Sequence, residues 1–195
     1  MKSTYMLATR NDGKVREFNH AFEGTGITFV SLKDAPGTPE VEEHGDTYEM
    51  NALIKARAIA EHTGLATVAD DSGIEIDALP GELGVRSARF GEGLTALEVN
   101  EVVLKRLQTV KNRACRYVCA LAVADPSSGR ESIVTATCEG LIHNKQQGEG
   151  GFGFDPIFYV PEYGKTMAEL PLDVKNRISH RAIAIEKLKK TLGVV

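Results

Sequence analysis

Apolar residues recur along the chain at strand spacing and at helical spacing, and this pattern predicts alternating strands and helices. The short apolar run Tyr5–Ala8 predicts a buried strand, and residues 15–22 repeat apolar side chains at helical spacing. Residues 27–32 predict a second strand. A polar loop, residues 9–14, joins the first strand to the first helix. This layout of strand, loop and helix directs backbone amides at an anion.

The second quarter of the chain contains a helix signal followed by an acidic segment. The tetrapeptide DTYE has the form of a helix start with Asp46 as the cap, and it predicts a helix over residues 47–62. Residues 66–69 predict a short buried strand that ends in the acidic turn 70–73. Alternation of apolar and acidic side chains then predicts a separate, half-exposed strand over residues 74–78.

The second half of the chain predicts further strands and two helices. Thr95 is the expected cap of a helix that continues to Leu107. Residues 116–124 and 133–142 flank the turn sequence DPSSG, which predicts a long antiparallel hairpin. A strand over 157–160 and a final helix from about Ser179 follow. This order predicts a single α/β domain with a mixed, partly antiparallel sheet flanked by helices.

Composition and charge narrow the class of protein. The 195 residues, 42% hydrophobic and 26% charged, are typical of one globular domain. The net charge of -4 disfavours a nucleic-acid partner, because such surfaces need clustered Lys and Arg. The apolar start of the chain is soon interrupted by Arg10 and Lys14, so we expect no membrane span and a cytoplasmic protein. Three cysteines at strand positions, Cys115, Cys119 and Cys138, are expected to be free thiols.

The first loop is a candidate phosphate site. Thr9, Asn11 and Lys14 lie at the start of the first helix, where backbone amides and the helix dipole favour an anion. The spacing is not that of a Walker loop, since Lys14 is followed by Val15. The alternative is a capped helix start with a solvated lysine.

Adjacent carboxylates form a candidate cation site. Asp70 and Asp71 are predicted at the carboxyl end of a strand, where α/β proteins bind ligands. Mg²⁺ needs few protein carboxylates, so one from this pair and one from Glu42 or Glu43 would suffice. Lys55 lies on a helix that would bring its charge to the same ligand. The alternatives are an Asp-rich turn and a solvated helix face.

Two later segments are candidates for binding an aromatic base. Residues 152–155, FGFD, offer aromatic faces and a carboxylate, and His180 and Arg181 at a helix start offer two donors for a carbonyl oxygen. Lys175 precedes them. Core packing of the phenylalanines, helix capping and ordinary surface lysines explain each of these features equally well when each is taken alone.

Five motifs taken together resemble the inosine triphosphate pyrophosphatase family. They are TRNDGK, EEHGDTYEMNALIKA, VADDSGIEIDALPGELGVRSARF, GGFGFDPIF and ISHRAIA, and they occur in this order through most of the chain. The resemblance implies an elongated α/β fold of two lobes with a central cleft. It also implies a homodimer that hydrolyses purine nucleoside triphosphates (ITP, dITP and XTP) to the monophosphate and pyrophosphate with Mg²⁺.

The resemblance assigns roles to particular residues. Asp71 is implied as the general base and, with Glu42, as a magnesium ligand, and Glu43 is the alternative ligand. The substrate-binding candidates are Thr9, Arg10, Asn11, Asp12, Gly13, Lys14, Lys55, Ser72, Phe152, Gly153, Phe154, Asp155, Lys175, His180 and Arg181. Many relatives have tyrosine where this chain has Phe154, so any role of that hydroxyl is lost here.

Two other functions compete with this one at the level of sequence. A related pyrophosphatase of the similarly folded Maf type would act on pyrimidine or modified nucleotides. A nucleotide-binding module without turnover would keep the phosphate loop and base pocket but lack a working base. The presence of both Glu42 and Asp71 favours an enzyme over the binding module.

Overall fold

The computed structural model describes residues 3–194, which form five α-helices and seven strands in one mixed sheet. The helices are α1 Asp12–Ala21, α2 Tyr48–Thr63, α3 Ala96–Arg106, α4 Leu172–Ile178 and α5 His180–Thr191. The strands are β1 Ser3–Leu7, β2 Ile27–Ser31, β3 Thr67–Ile76, β4 Ala114–Asp125, β5 Arg130–Ile142, β6 Phe158–Val160 and β7 Lys165–Thr166. Their order in the sheet is β2-β1-β3-β4-β5-β6-β7. The predicted α/β class with a mixed sheet is confirmed.

The direction of the strands changes along the sheet. β1 is parallel to both β2 and β3, and Met6 pairs with Val30 on one side and Thr67 on the other. Parallel neighbours need a crossover connection, which α1 and α2 provide. β5, β6 and β7 are antiparallel. The predicted hairpin is also confirmed, since β4 and β5 are sheet neighbours joined by only four residues.

Side-chain caps begin α1, α2, α3 and α5, and one of these caps differs from the prediction. The hydroxyl of Thr47 accepts from the Met50 amide, so Thr47 and not Asp46 is the cap of α2. The cap of α3 is Thr95, as predicted, and Glu98 completes a capping box. α2 ends at Gly64, whose φ of 69° is the left-handed conformation that glycine adopts most easily.

β3 is one continuous strand of 10 residues, so the prediction of two strands separated by an acidic turn is wrong. Asp70 and Asp71 lie in the middle of the strand and not after its end. Local turn preference for Asp, Ser and Gly is overridden because both carboxylates have partners on neighbouring helices: Lys14 for Asp70 and Asn51 for Asp71. The strand also ends at Ile76, two residues before the predicted limit.

α4 is a short helix that the sequence pattern did not predict. None of its seven residues is fully buried, and only Val174 and Ile178, four residues apart, pack against the hydrophobic core. This apolar pattern is too short to predict a helix. α5 follows directly after Ser179, as predicted, and its residues Ala184, Ile185 and Leu188 are buried.

The chain divides into two compact units. The first unit comprises the residues up to Asp71, Cys119–Ala136 and the residues from Ile183 onward. Its core contains Phe18 and Phe22, whose rings pack edge-on against Phe29 at centroid distances of 5.2 and 4.9 Å. Edge-to-face contact is the preferred geometry of aromatic pairs.

The second unit comprises Ser72–Val118 and Thr137–Ala182. Its core includes Val103, Leu107 and Phe158. Gly140 lies so close under the Phe158 ring that a Cβ there would be 2.6 Å from two ring carbons, so only glycine allows this approach.

Two predictions about the whole chain can be compared with the structure. All three cysteines are buried thiols, as the sequence predicts. Within residues 3–194, no helix has both the length and the apolar character needed to cross a membrane.

Candidate active site

Asp70 and Asp71 of β3 point to opposite faces of the sheet, because successive strand residues alternate. Asp70 shares its face with Val68, which packs in the same core as Phe18 of α1. Lys14 of α1 accordingly reaches Asp70, with its Nζ 2.8 and 2.9 Å from the two carboxylate oxygens. Asp71 faces the other way and receives a hydrogen bond from α2.

Asn51 of α2 links Asp71 to the acidic loop that precedes the helix. It is fully buried, its Nδ2 donates to Asp71 Oδ2 at 3.0 Å, and its Oδ1 accepts from the Gly45 amide at 2.7 Å. The Gly45 backbone must approach closely, because a Cβ there would lie 2.8 Å from Asn51 Oδ1. One amide side chain therefore sets the position of Asp71 relative to the acidic loop.

Lys55, one turn after Asn51, brings a second cation to the same part of β3. Its Nζ donates to the backbone oxygen of Asp70 at 3.0 Å and also pairs with the Glu43 carboxylate. Lys14 and Lys55 therefore both contact residue 70, one through the side chain and one through the backbone. Glu42 is exposed, and its backbone oxygen lies 3.3 Å from His44 Nδ1. The geometry thus favours Glu43 over Glu42 as the acidic partner of this site.

The pKa of the Asp71 carboxyl is strongly raised. Burial raises its pKa from 3.8 to about 6, and the negative charges of Glu43 and Asp70 act in the same direction. The hydrogen bond from Asn51 and the charge of Lys55 oppose this shift without cancelling it. A carboxyl with a pKa near 6 is a much better proton acceptor than an ordinary aspartate.

The donor set fits a divalent cation completed by water and phosphate. Within residues 3–194, no three His, Cys, Asp or Glu side chains form a closed metal cage. Mg²⁺ rarely needs such a cage, because one or two carboxylates plus water and phosphate oxygens complete its coordination. The negative charge of Glu43 disfavours ionisation of Asp71, and a cation bound beside both carboxylates would relieve this repulsion.

The predicted phosphate loop is organised mainly by its own side chains. Asn11 Oδ1 accepts from the amides of Gly13 at 2.8 Å and Lys14 at 3.3 Å, so these two amides are engaged as an N-cap. Thr9 Oγ1 accepts from the Asn11 amide at 3.1 Å. Arg10 and Asp12 of this loop contact other parts of the first unit. Arg10 donates to the Thr38 backbone oxygen, and Asp12 pairs with Lys33.

A second cluster of predicted site residues lies in the second unit and centres on Asp155. This buried carboxylate accepts from the Tyr117 hydroxyl at 3.1 Å, from the Phe152 amide at 3.0 Å and from Lys175 Nζ. Three donors occupy its two oxygens. Asp155 therefore organises its own loop and Lys175.

Phe152 and Phe154 have different environments, although the sequence analysis gives both the same candidate role in binding a base. Phe152 is 65% exposed, and the cationic groups of Lys175 and Arg181 lie 5.3 and 5.9 Å from its ring centre. Phe154 is partly buried and packs against the hydrophobic core of the second unit. Only Phe152 thus presents an accessible aromatic face beside two cations.

His180 is held by an aromatic stack at the start of α5. Its ring lies parallel to that of Tyr117, with centroids 4.7 Å apart and an interplanar angle of 19°. Ser179 caps the helix, because its Oγ accepts from the Ala182 amide.

Two further predicted site residues lie elsewhere in the second unit. Gly153 lies in the same loop as Phe152, and its backbone oxygen accepts from Asn100. Ser72 is half-buried and directly follows Asp71.

Sequence reasoning missed the two residues that arrange these clusters. Asn51 lies in the helix predicted over residues 47–62, and the sequence does not indicate that its partners are Asp71 and Gly45. Tyr117 lies in the strand predicted over residues 116–124, yet it contacts both Asp155 and His180. The tyrosine itself could have indicated this role, because a hydroxyl in a buried strand requires a hydrogen-bond partner.

The fold and the two clusters together define a class of protein. It is an α/β protein in which one unit gathers lysines and carboxylates suited to phosphates and a divalent cation. The other unit presents an accessible aromatic ring among cationic donors, which suits a heteroaromatic base. Comparison with known proteins identifies the family. Residues 5–191 match the Ham1 family, and the chain belongs to this family.

Close relatives and solved structures agree with this assignment. A protein of Bacillus anthracis named dITP/XTP pyrophosphatase is 48% identical over 96% of this chain and 95% of its own length. A HAM1 protein from Coxiella burnetii superposes with a TM-score of 0.92 at 36% identity, covering 99% of this chain and all of that one. The Ham1 protein of Staphylococcus aureus gives a TM-score of 0.90 at 35% identity, covering 98% of both chains. The family inferred from the five motifs is confirmed.

Proposed function

We propose that this chain hydrolyses the deaminated purine nucleoside triphosphates ITP, dITP and XTP to the monophosphate and pyrophosphate with Mg²⁺. The name of its relatives, dITP/XTP pyrophosphatase, supports this substrate class. In this proposal the cluster around Asp71 binds the triphosphate and the metal, and the cluster around Phe152 binds the base. Such an enzyme removes damaged purines from the nucleotide pool.

One observation supports catalysis more than any other: Asp71, a buried carboxyl with a pKa near 6, directly follows Asp70, whose side chain and backbone oxygen bind Lys14 and Lys55. Nucleophilic attack at the α-phosphorus requires the charge of the triphosphate to be offset, and the Nζ atoms of Lys14 and Lys55 provide that positive charge. The carboxylate of Asp71 orients the attacking water and accepts its proton. Bound Mg²⁺ supplies charge neutralisation for the pyrophosphate leaving group.

Asn51 and Glu43 support this reaction without taking part in bond breaking. Asn51 fixes the Asp71 carboxylate through Oδ2 and leaves Oδ1 for water or a cation. Glu43 is the second metal ligand in this proposal, in preference to the exposed Glu42. Its pairing with Lys55 keeps the carboxylate beside Asp71 before a cation binds.

Base selection follows from the hydrogen-bond inventory of the purine. Hypoxanthine and xanthine present an acceptor oxygen at C6, where adenine presents an amino donor, and His180 and Arg181 supply donors. A buried donor left unpaired costs about 1 to 3 kcal/mol, which corresponds to roughly tenfold to more than a hundredfold in selectivity. Guanine has the same C6 oxygen, so another contact must reject it.

Pyrophosphate release from ITP, XTP, GTP and ATP tests the function directly. With Mg²⁺, we expect kcat/KM for ITP and XTP to exceed that for ATP by at least about tenfold. EDTA should abolish turnover. In ¹⁸O-labelled water, the label should appear in the nucleoside monophosphate, because the water attacks the α-phosphorus. Release of orthophosphate, or label in pyrophosphate, would contradict the proposed reaction.

Phe152→Ala tests the base site with little risk to the fold. Because the ring is 65% exposed and lies beside two cations, its loss removes a stacking surface and not a core contact. We expect KM for ITP to rise about tenfold, in keeping with the usual value of base–aromatic stacking. The melting temperature should stay unchanged. Leu97→Ala, which truncates an equally exposed side chain on α3, is the matched control.

We also propose the homodimer and the cytoplasmic location that the family resemblance implies. Light scattering should then give twice the chain mass of 21.1 kDa. A mass equal to one chain at micromolar concentration would remove the dimer from the proposal and leave the catalytic assignments in place.

A further inference from the structure

The residues around the exposed Phe152 ring form the base cluster, which comprises Phe152, Asp155, Lys175, His180 and Arg181. Tyr117 of β4 contacts two of these residues at once. Its hydroxyl donates to Asp155 Oδ1 at 3.1 Å, and its ring stacks on His180 at 4.7 Å. The opposite stacking partner is Phe158, at 4.3 Å and 22°. Tyr117 is only 7% exposed, so it is not a ligand-contacting group itself.

The hydrogen bond to Asp155 extends to the rest of the cluster. While Tyr117 holds Oδ1, the other oxygen of Asp155 accepts from the Phe152 amide and from Lys175 Nζ. Burial, reinforced by the charge of Asp155, raises the pKa of Tyr117 well above its usual value. The phenol therefore remains protonated and donating throughout the working pH range.

We propose that Tyr117 is a positioning residue for base recognition, which fixes His180 by stacking and the Phe152–Lys175 pair through Asp155. This inference deepens the proposed function and rests on it. The phenol on β4 thus determines the orientation of groups on the 151–155 loop, α4 and α5, although it does not touch the substrate. Selectivity between bases depends on such orientation, because donors must meet the C6 oxygen within hydrogen-bonding distance.

Two substitutions separate the contributions of the ring and the hydroxyl. Tyr117→Phe keeps the stack and removes the hydrogen bond, whereas Tyr117→Leu removes both. Tyr159→Phe on β6 is the control, because it removes a tyrosine hydroxyl in the same unit. The ring that carries this hydroxyl packs against His143, which is outside the base cluster. Each variant is assayed with ITP and ATP, and its amide hydrogen exchange is followed over the segment that contains Phe152.

We expect Tyr117→Phe to raise KM for ITP roughly threefold to tenfold while kcat stays within about twofold, and to narrow the preference for ITP over ATP. The Phe152 amide should exchange faster, since its acceptor is no longer fixed. Tyr117→Leu should show larger changes in both measurements, and Tyr159→Phe should match the wild type in both.

The result that overturns the proposal is a Tyr117→Phe variant with wild-type KM, selectivity and exchange, even if its melting temperature falls. Tyr117 would then be an ordinary core residue. If the wild type fails to hydrolyse ITP, the proposed function fails instead. The exchange data then decide separately: unchanged exchange at Phe152 refutes the positioning role, and faster exchange supports it.

Discussion

Asp71→Asn is expected to lower kcat for ITP hydrolysis by about 10² to 10⁴-fold and, at the same time, to stabilise the fold. The loss of activity follows because an amide cannot accept the proton of the attacking water. The fold should persist, since Asn51 Nδ2 can still donate to the amide oxygen of the new side chain. Activity and stability should therefore change in opposite directions.

The expected gain in stability depends on pH with a definite sign. The carboxyl has a pKa of 3.8 in the unfolded chain and about 6 in the folded protein, which costs about 3 kcal/mol once both states are ionised. This penalty is fully present above the folded value, and it disappears as the pH falls toward the unfolded value. Since burying an amide also has a cost, we expect a net gain of roughly 1 to 3 kcal/mol at pH 8.

Denaturant unfolding in EDTA at pH 8 and at pH 5 measures this difference, because a bound cation would stabilise the carboxylate of the wild type. The gain from Asp71→Asn should be larger at pH 8. Asp77→Asn, an exposed carboxyl just beyond the end of β3, should change neither activity nor stability. Wild-type turnover by Asp71→Asn would rule out its role as the base, and an equal gain at both pH values would rule out the electrostatic penalty.

Local chemistry explains the parts of the fold that the sequence predicted well. Thr95 and Glu98 form a capping box whose partners lie within four residues of each other, so the start of α3 depends on no distant contact. Gly64 ends α2 by the same kind of local preference. The hairpin of β4 and β5 is equally local, because only four residues connect its strands.

β3 shows where local reasoning fails. The segment Asp70–Gly73 has the composition of a turn, and it is a strand because Lys14 and Asn51 satisfy its two carboxylates from other elements. Those partners are 56 and 20 residues away in sequence. A propensity argument does not include such contacts, and this is why it predicts the acidic pair at a strand end.

The candidate site shows a similar division between residue identity and residue role. The motifs identified the residues of the FGFD loop, but the sequence alone did not separate exposed Phe152 from partly buried Phe154. Nor did it reveal that Asp155 is occupied by three donors. These distinctions depend on burial and on partners that lie far away in sequence. They also shift the expected base-stacking role to Phe152, so the lack of a hydroxyl at Phe154 matters less than the motif comparison suggested.

Gly151→Ala is expected to lower kcat/KM for ITP by about a hundredfold, because it would disrupt the centre of the base cluster. Gly151 has a φ of 77°, and a Cβ there would overlap Asp155 Oδ2 and lie 2.7 Å from Lys175 Nζ. The loop must move to accommodate the methyl group. This movement would displace Phe152, whose amide donates to that same carboxylate oxygen.

Backbone strain must be separated from the steric overlap, and Gly164→Ala provides the control. Gly164 has a similar φ of 63°, but the only atom within 4 Å of its added Cβ would be the Tyr159 hydroxyl oxygen, at 3.9 Å. Both substitutions place alanine in the left-handed region, at a cost of about 1 to 2 kcal/mol. Their melting temperatures should therefore fall, with the larger drop for Gly151→Ala. In kinetic assays with ITP, Gly151→Ala should lose much more activity than Gly164→Ala. An equal loss of activity in the two variants would show that close packing around Asp155 does not order the base site.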